Sequence, residues 1–69
     1  MIIVGYQKIN ADNSGIEDVI YQEHEAEDDA HASMQALQTS ESDNAEVLQF
    51  FYGIRTREDE YQLMAVVDK

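Results

Sequence analysis

The feature that most restricts the fold is the alternation of apolar residues in the last third of the chain. Residues 47–56 alternate with a period of two, residues 57–60 are charged or polar, and the alternation resumes over residues 61–67. A period of two is typical of β-strands, so we predict two strands joined by a turn. In the first of them, one face is predicted to carry Leu48, Phe50, Tyr52 and Ile54, and the other Val47, Phe51 and Gly53.

The first half of the chain predicts a second hairpin followed by a helix. Residues 1–9 and 16–23 alternate like strands, and residues 10–15 are rich in turn formers. From Glu25 onward, Ala26, Ala30, Met34 and Leu37 recur at helical spacing, and residues 39–44 are polar enough for a loop. The predicted fold is therefore α+β, with the order β-β-α-β-β: a four-stranded antiparallel sheet with one helix packed on one face.

A chain of 69 residues forms one domain, here residues 1–69, and buries only about 60% of the surface that its unfolded form exposes. The sequence has no cysteine, which excludes disulfides and cysteine-based zinc sites. Neither a signal peptide nor a membrane span fits the opening residues, because the apolar run is short and has no basic leader. We expect a cytoplasmic protein.

One helix covers only one face of such a sheet, and the other face is also predicted to be apolar. Val47, Phe51, Met64 and Val66 fall on this second face. An apolar patch on a small domain often marks an interface, so we predict self-association, with a homodimer as the simplest form. The alternative is that strand twist and the chain termini cover the patch.

Charge is the strongest indication of function. The 45 residues 10–54 contain eleven carboxylates and no Lys or Arg, and the whole chain has a formal charge of −11. Such a surface repels nucleic acid and anionic lipid, which argues against direct contact with either and favours a basic protein partner.

Two short patterns resemble metal sites. Asn10, Asp12, Ser14 and Gly15 have the spacing of the first half of a calcium loop. The bidentate Glu that would complete it is replaced by Tyr21, so turn formation is the better interpretation. His24, Asp28 and His31 would share one face of an early-starting helix, but two His in an acidic stretch often lie near a carboxylate by chance. No metal or cofactor is predicted.

No motif for catalysis is present. The three glycines are scattered, no serine lies in the setting of a nucleophile, and fifteen acids produce many accidental carboxylate pairs. We therefore predict a protein that is not an enzyme.

The acidic residues around the second strand and the helix start are the best candidate binding surface. The predicted partner-binding ridge contains Glu17, Asp18, Glu23, Glu25, Glu27, Asp28 and Asp29, and a second patch contains Glu41, Asp43 and Glu46. Carboxylates spaced in this way can replace phosphates by pairing with Arg and Lys. A solvated face and adaptation to high salt are the competing explanations.

In size, charge and sheet-plus-helix plan, the chain resembles the small acidic inhibitors that bacteriophages and mobile elements use against host enzymes. Uracil-DNA glycosylase inhibitors, anti-restriction proteins and some anti-CRISPR proteins are of this type. No motif is shared, so no residue role is transferred. The resemblance implies a DNA-mimicking inhibitor that occupies a basic surface of a nucleic-acid-binding or nucleic-acid-processing protein. The alternative is a self-associating structural or accessory module that uses the apolar sheet face, with acidity serving solubility or life in high salt.

Overall fold

The structure is a computed structural model that describes residues 1–69. Its elements are β1 (Ile2–Ile9), β2 (Ile16–His24), α1 (Glu27–Ser40), β3 (Val47–Arg57) and β4 (Glu60–Asp68). All neighbouring strands are antiparallel, in the order β2-β1-β3-β4. The predicted α+β fold and its β-β-α-β-β order are confirmed.

The loop between β1 and β2 is closed by its own side chains. The Ser14 amide and hydroxyl both donate to Asp12 Oδ1, at 3.1 and 2.7 Å, and the Gly15 amide donates to Asn10 Oδ1 at 3.1 Å. Asn13 adopts a φ of 58°, a left-handed conformation that Asn tolerates better than most residues. The turn predicted at residues 10–15 is confirmed.

Helix α1 begins later and ends later than the sequence predicts. Ala26 keeps an extended backbone and provides no side-chain cap, so the helix starts at Glu27, where three acidic residues occupy the first turn. Negative charge there interacts favourably with the helix dipole. At the other end, the Thr39 hydroxyl donates to the Gln35 carbonyl and the Glu41 amide to the Leu37 carbonyl, which extends the helix into the predicted loop.

The main core lies between α1 and the sheet. Its six buried hydrophobic residues are Val4, Ala30, Met34, Leu37, Val47 and Phe50. Buried Ser33 donates to Gln22 Oε1 at 2.8 Å, which ties the helix to β2. The helix packs mainly on β1 and β2, so the half of the sheet nearest β4 is only partly covered.

Irregularities in strand pairing change which side chains share a face. The register skips Tyr21 between β1 and β2, Leu48 between β1 and β3, and Met64 and Thr56 between β3 and β4. Each skipped residue is an extra residue that bends the strand and increases its twist. The bulge at Leu48 also returns Val47 to the helix side, where it is buried with Phe50.

The second face of the sheet is closed by side chains of the same chain. Ile3 and Phe51 are both 0% exposed, and the Tyr61 ring stacks on Phe51 with 6.2 Å between ring centroids. Phe51 lies over Gly5, which leaves no space for a Cβ there. This face therefore contains a small core of its own.

The prediction that Val47, Phe51, Met64 and Val66 form one uncovered apolar face is wrong. Val47 and Phe51 are buried on opposite sides of the sheet. Met64 lines a groove on the helix side, whereas Val66 pairs with Phe51 and shares its face. Bulges at Leu48 and Met64 cause the split, because one extra residue reverses the alternation on the far side of it.

Candidate functional site

A group of exposed acids lies where β2 turns into α1. We call Glu25, Glu27, Asp28 and Asp29 the corner acids; all four are exposed. None of them has a Lys or Arg nitrogen within 4.0 Å, since the three ion pairs of the protein involve other carboxylates. These carboxylates are therefore free to bind cationic groups of another molecule.

A second group of acids lies at the opposite end of the sheet, around Lys8. The Lys8 Nζ is 3.6 Å from a Glu17 carboxylate oxygen and 4.0 Å from one of Glu46. The structure thus joins the start of the predicted ridge to part of the predicted second patch. Nearby, Glu41 accepts a hydrogen bond of 2.9 Å from Asn44, while Asp43 is exposed.

The predicted ridge is not continuous, because two of its members are engaged elsewhere. Asp18 accepts hydrogen bonds from Gln7 at 2.9 Å and from the Tyr61 hydroxyl at 2.7 Å. Glu23 is held by Arg55. Between Glu17 and Glu25 the chain extends by about 27 Å at the usual strand rise, so the corner acids and the acids around Lys8 form two separate groups.

Hydrogen bonding and burial on the second face shift the pKa values of Glu23 and Tyr61. The Arg55 hydrogen bond is the main cause that lowers the pKa of Glu23, although burial acts in the opposite direction. Burial, followed by the hydrogen bond to Asp18, raises the pKa of Tyr61 to about 12. These groups stabilise the fold, since each is engaged with a partner inside the chain.

The two metal-like patterns do not assemble into a ligand set. The oxygens of Asn10 and Asp12 accept hydrogen bonds from their own loop, and the Ser14 side chain is the main cause of the lowered pKa of Asp12. His24 lies at the end of β2, and exposed His31 is 3.5 Å from the Tyr52 hydroxyl. No three His, Asp or Glu side chains come close enough together to hold a metal ion.

Sequence reasoning missed an apolar groove between α1 and the β3–β4 half of the sheet. The groove has a volume of about 520 Å³. Its apolar lining consists of Ile2, Ala30, Met34, Tyr52, Ile54, Met64, Ala65 and Val67. Four polar residues of α1 also line it: Glu27, His31, Gln35 and Gln38. The width of the elements could have predicted it, because a helix about 10 Å across covers only about two strands spaced 4.8 Å apart.

Comparison with protein-family models, with curated proteins and with solved structures finds no match to this chain. The one helix lacks the length and the apolar character that crossing a membrane requires.

Proposed function

We propose that the protein is a non-enzymatic binding protein that occupies a basic surface of a nucleic-acid-binding or nucleic-acid-processing protein. The observation that carries this proposal is the imbalance between carboxylates and cations. Three of the fifteen carboxylates lie within 4.0 Å of a Lys or Arg, so twelve have no such partner. A surface with this excess attracts cationic side chains over a distance set by screening.

The corner acids are the part of this surface that best fits a binding role. They are exposed, have no Lys or Arg partner, and lie close together in sequence from the end of β2 into the first turn of α1. Arg side chains of a partner would form charge-assisted hydrogen bonds with them, as they do with phosphates. Glu23 and Asp18 are less available for this role, because both already bind groups of the same chain.

The charge density fits partial replacement of duplex DNA. The longest dimension of the protein is 33 Å, and that length of duplex carries about 19 phosphate charges. A net charge of −11 is therefore a little more than half of the duplex value. The protein would compete for a few basic side chains at one site and would leave the rest of a long DNA-binding groove free.

The test is a pull-down with the tagged protein at low salt, eluted separately with duplex DNA and with high salt. Both should release the partner, because each weakens contacts between the acids and basic groups. The corner variant E27K/D28K/D29K should lose the partner. The matched control is E58K/D59K/E60K in the turn between β3 and β4, since both variants change the net charge from −11 to −5.

The two variants separate a specific surface from overall charge. Loss of the partner in the corner variant alone supports the corner acids as the contact, provided that circular dichroism shows an intact fold. Equal loss in both variants assigns the effect to net charge. A partner that neither DNA nor salt releases would overturn the proposal.

A further inference from the structure

The edge strand β4 carries exposed apolar side chains on both faces of the sheet, and the groove extends this apolar surface on the helix side. We call it the β4 surface; Ile54 and Met64 are 38% and 62% exposed on its helix side, and Leu63 and Val66 are 38% and 52% exposed on the other face. Ala65 and Val67 continue it into the groove beside α1. These residues account for four of the nine large hydrophobic side chains that the protein exposes.

Charge is sparse on this surface, where Glu27 is the one acid that lines the groove. Seven uncharged residues lie between Glu60 and Asp68 on β4, whereas β2 at the opposite edge carries Glu17, Asp18 and Glu23. The strand order places β2 and β4 three strand spacings apart, about 14 Å. That distance exceeds the screening length of about 8 Å at physiological salt. Two highly acidic copies can therefore approach along the middle of β4 with less repulsion than along β2.

We propose that a second copy of this chain covers the β4 surface, in a two-fold symmetric homodimer. A two-fold axis brings the same patch of both copies together, so an apolar, uncharged patch is complementary to itself. Glu27, which lines the helix side of the groove, is the one corner acid next to this contact, and the dimer presents the other corner acids twice.

Side-chain packing, and not a continuous ladder of backbone hydrogen bonds, forms this contact. The bulge at Met64 interrupts the regular spacing of β4, and bulges of this kind discourage pairing of edge strands. Met64, the residue that this bulge adds, is the most exposed of the large hydrophobic side chains that line the groove. Met64 of each copy is therefore the side chain expected to enter the groove of the other, where a flexible thioether packs well.

The available area indicates a reversible dimer. Nine residues of β4 extend about 30 Å, and the shortest dimension of the protein is 15 Å. A contact of that length and width buries about 900 Å² over both copies, which is below the limit of about 1,000 Å² for a stable specific interface and in the range of weak complexes. The monomer is expected to remain populated at low concentration.

Salt dependence distinguishes this contact from binding to a basic partner. Two copies that each carry −11 repel one another, and salt screens the repulsion, so the dimer should become stronger as salt is added. Binding through the corner acids should become weaker under the same change. If the dimer forms although no basic partner binds, or a basic partner binds although no dimer forms, one proposal stands without the other.

Sedimentation equilibrium over a range of concentrations is the direct test. At about 10 mM salt the mass should stay near the monomer, and at about 0.5 M salt, where the screening length is near 4 Å, it should rise towards twice 7.9 kDa. M64E should weaken association at least about tenfold. I16E is the matched control, because Ile16 is also 62% exposed but lies on β2, and it adds the same charge.

Three outcomes would overturn the homodimer. The first is a monomeric mass at every concentration and salt, which would leave the groove for a small apolar ligand or a different protein. In the second, the dimer survives M64E. The third is equal weakening by M64E and I16E, which would indicate repulsion by the added charge without a defined surface. Circular dichroism of both variants confirms that these exposed substitutions leave the fold intact.

Discussion

Arg55 and Glu23 form a two-pronged ion pair across the central strand β1. Arg55 Nε donates to one Glu23 carboxylate oxygen and a terminal nitrogen donates to the other, both at 2.8 Å. Because β1 separates β2 from β3 in the sheet, this pair links two strands that are not neighbours. It thereby helps to close the second face of the sheet.

The pair should make stability depend on pH in the acid range. Its hydrogen bonds lower the pKa of Glu23 below the ordinary value of 4.5, so the stabilisation is complete above that value and is lost as pH falls through the lower folded pKa. Melting temperatures of the wild type and R55A should converge as pH falls below 4.5. A constant difference between them down to strongly acidic pH would show that Arg55 acts by packing alone.

Tyr61 should ionise later than an ordinary tyrosine. Burial, and then the hydrogen bond to Asp18, raises its pKa to about 12. Ultraviolet titration of tyrosinate should contain a late component that is absent from Y61F and moves to lower pH in D18N. Since the folded pKa exceeds the unfolded one, the associated stability is present below pH 10 and is lost as pH rises through about 12.

Y21F provides the control for this titration, because Tyr21 is exposed. This substitution should leave the late component of Tyr61 unchanged. If Y61F also retained the late component, the assignment to Tyr61 would be wrong. Tyr52 would then be the next residue to replace, since burial raises its pKa as well.

Gly5 should be the least replaceable glycine in the chain. A Cβ at this position would lie 2.7 Å from Phe51 Cζ and would also collide with the Val19 carbonyl oxygen. Overpacking of this kind costs about 1–3 kcal/mol, so G5A should lower the free energy of unfolding in urea by that amount. The clash involves backbone on one side, which cannot simply rotate away.

Gly15 supplies the matched comparison in the loop after β1. A methyl group added there would have Asn10 Nδ2 as its nearest heavy atom, at 3.8 Å, which is ordinary contact. G15A should therefore be neutral or raise the free energy of unfolding by up to about 1 kcal/mol, because alanine restricts the unfolded chain. Equal destabilisation by both changes would contradict the close packing of Gly5 against Phe51.

Local periodicity predicts the helix and strands of this fold, but it does not predict which side chains share a face of the sheet. Alternation predicts all four strands, because neighbouring residues decide it. It assigns Val47 to the wrong face, since the bulge at Leu48 arises from pairing with β1. It also predicts an exposed Phe51, because nothing local shows that Tyr61 stacks on that ring. Such long-range contacts have no signal in the alternation.

For the candidate sites too, the sequence predicts which residues are present but not which contacts they make. The acidic residues are visible in the sequence, and exposure of the corner acids agrees with their charge. Which acids are engaged could not be predicted, because the contacts of Glu23 and Asp18 come from residues 32 and 43 positions away. The groove depends on where α1 packs across the sheet, and tertiary packing decides that position.

Salt should stabilise the folded chain. Twelve of the fifteen carboxylates have no Lys or Arg within 4.0 Å, so repulsion among them opposes the compact state, and screening reduces that repulsion. The free energy of unfolding should rise between about 10 mM and about 0.5 M salt, over which the screening length falls from about 30 to about 4 Å. Urea titrations at several salt concentrations measure this free energy of unfolding. They are made in the M64E background, which keeps the chain monomeric. The turn variant E58K/D59K/E60K, with its net charge of −5, should show a smaller increase. If salt destabilised the wild type, the three ion pairs would contribute more to stability than the unpaired acids cost.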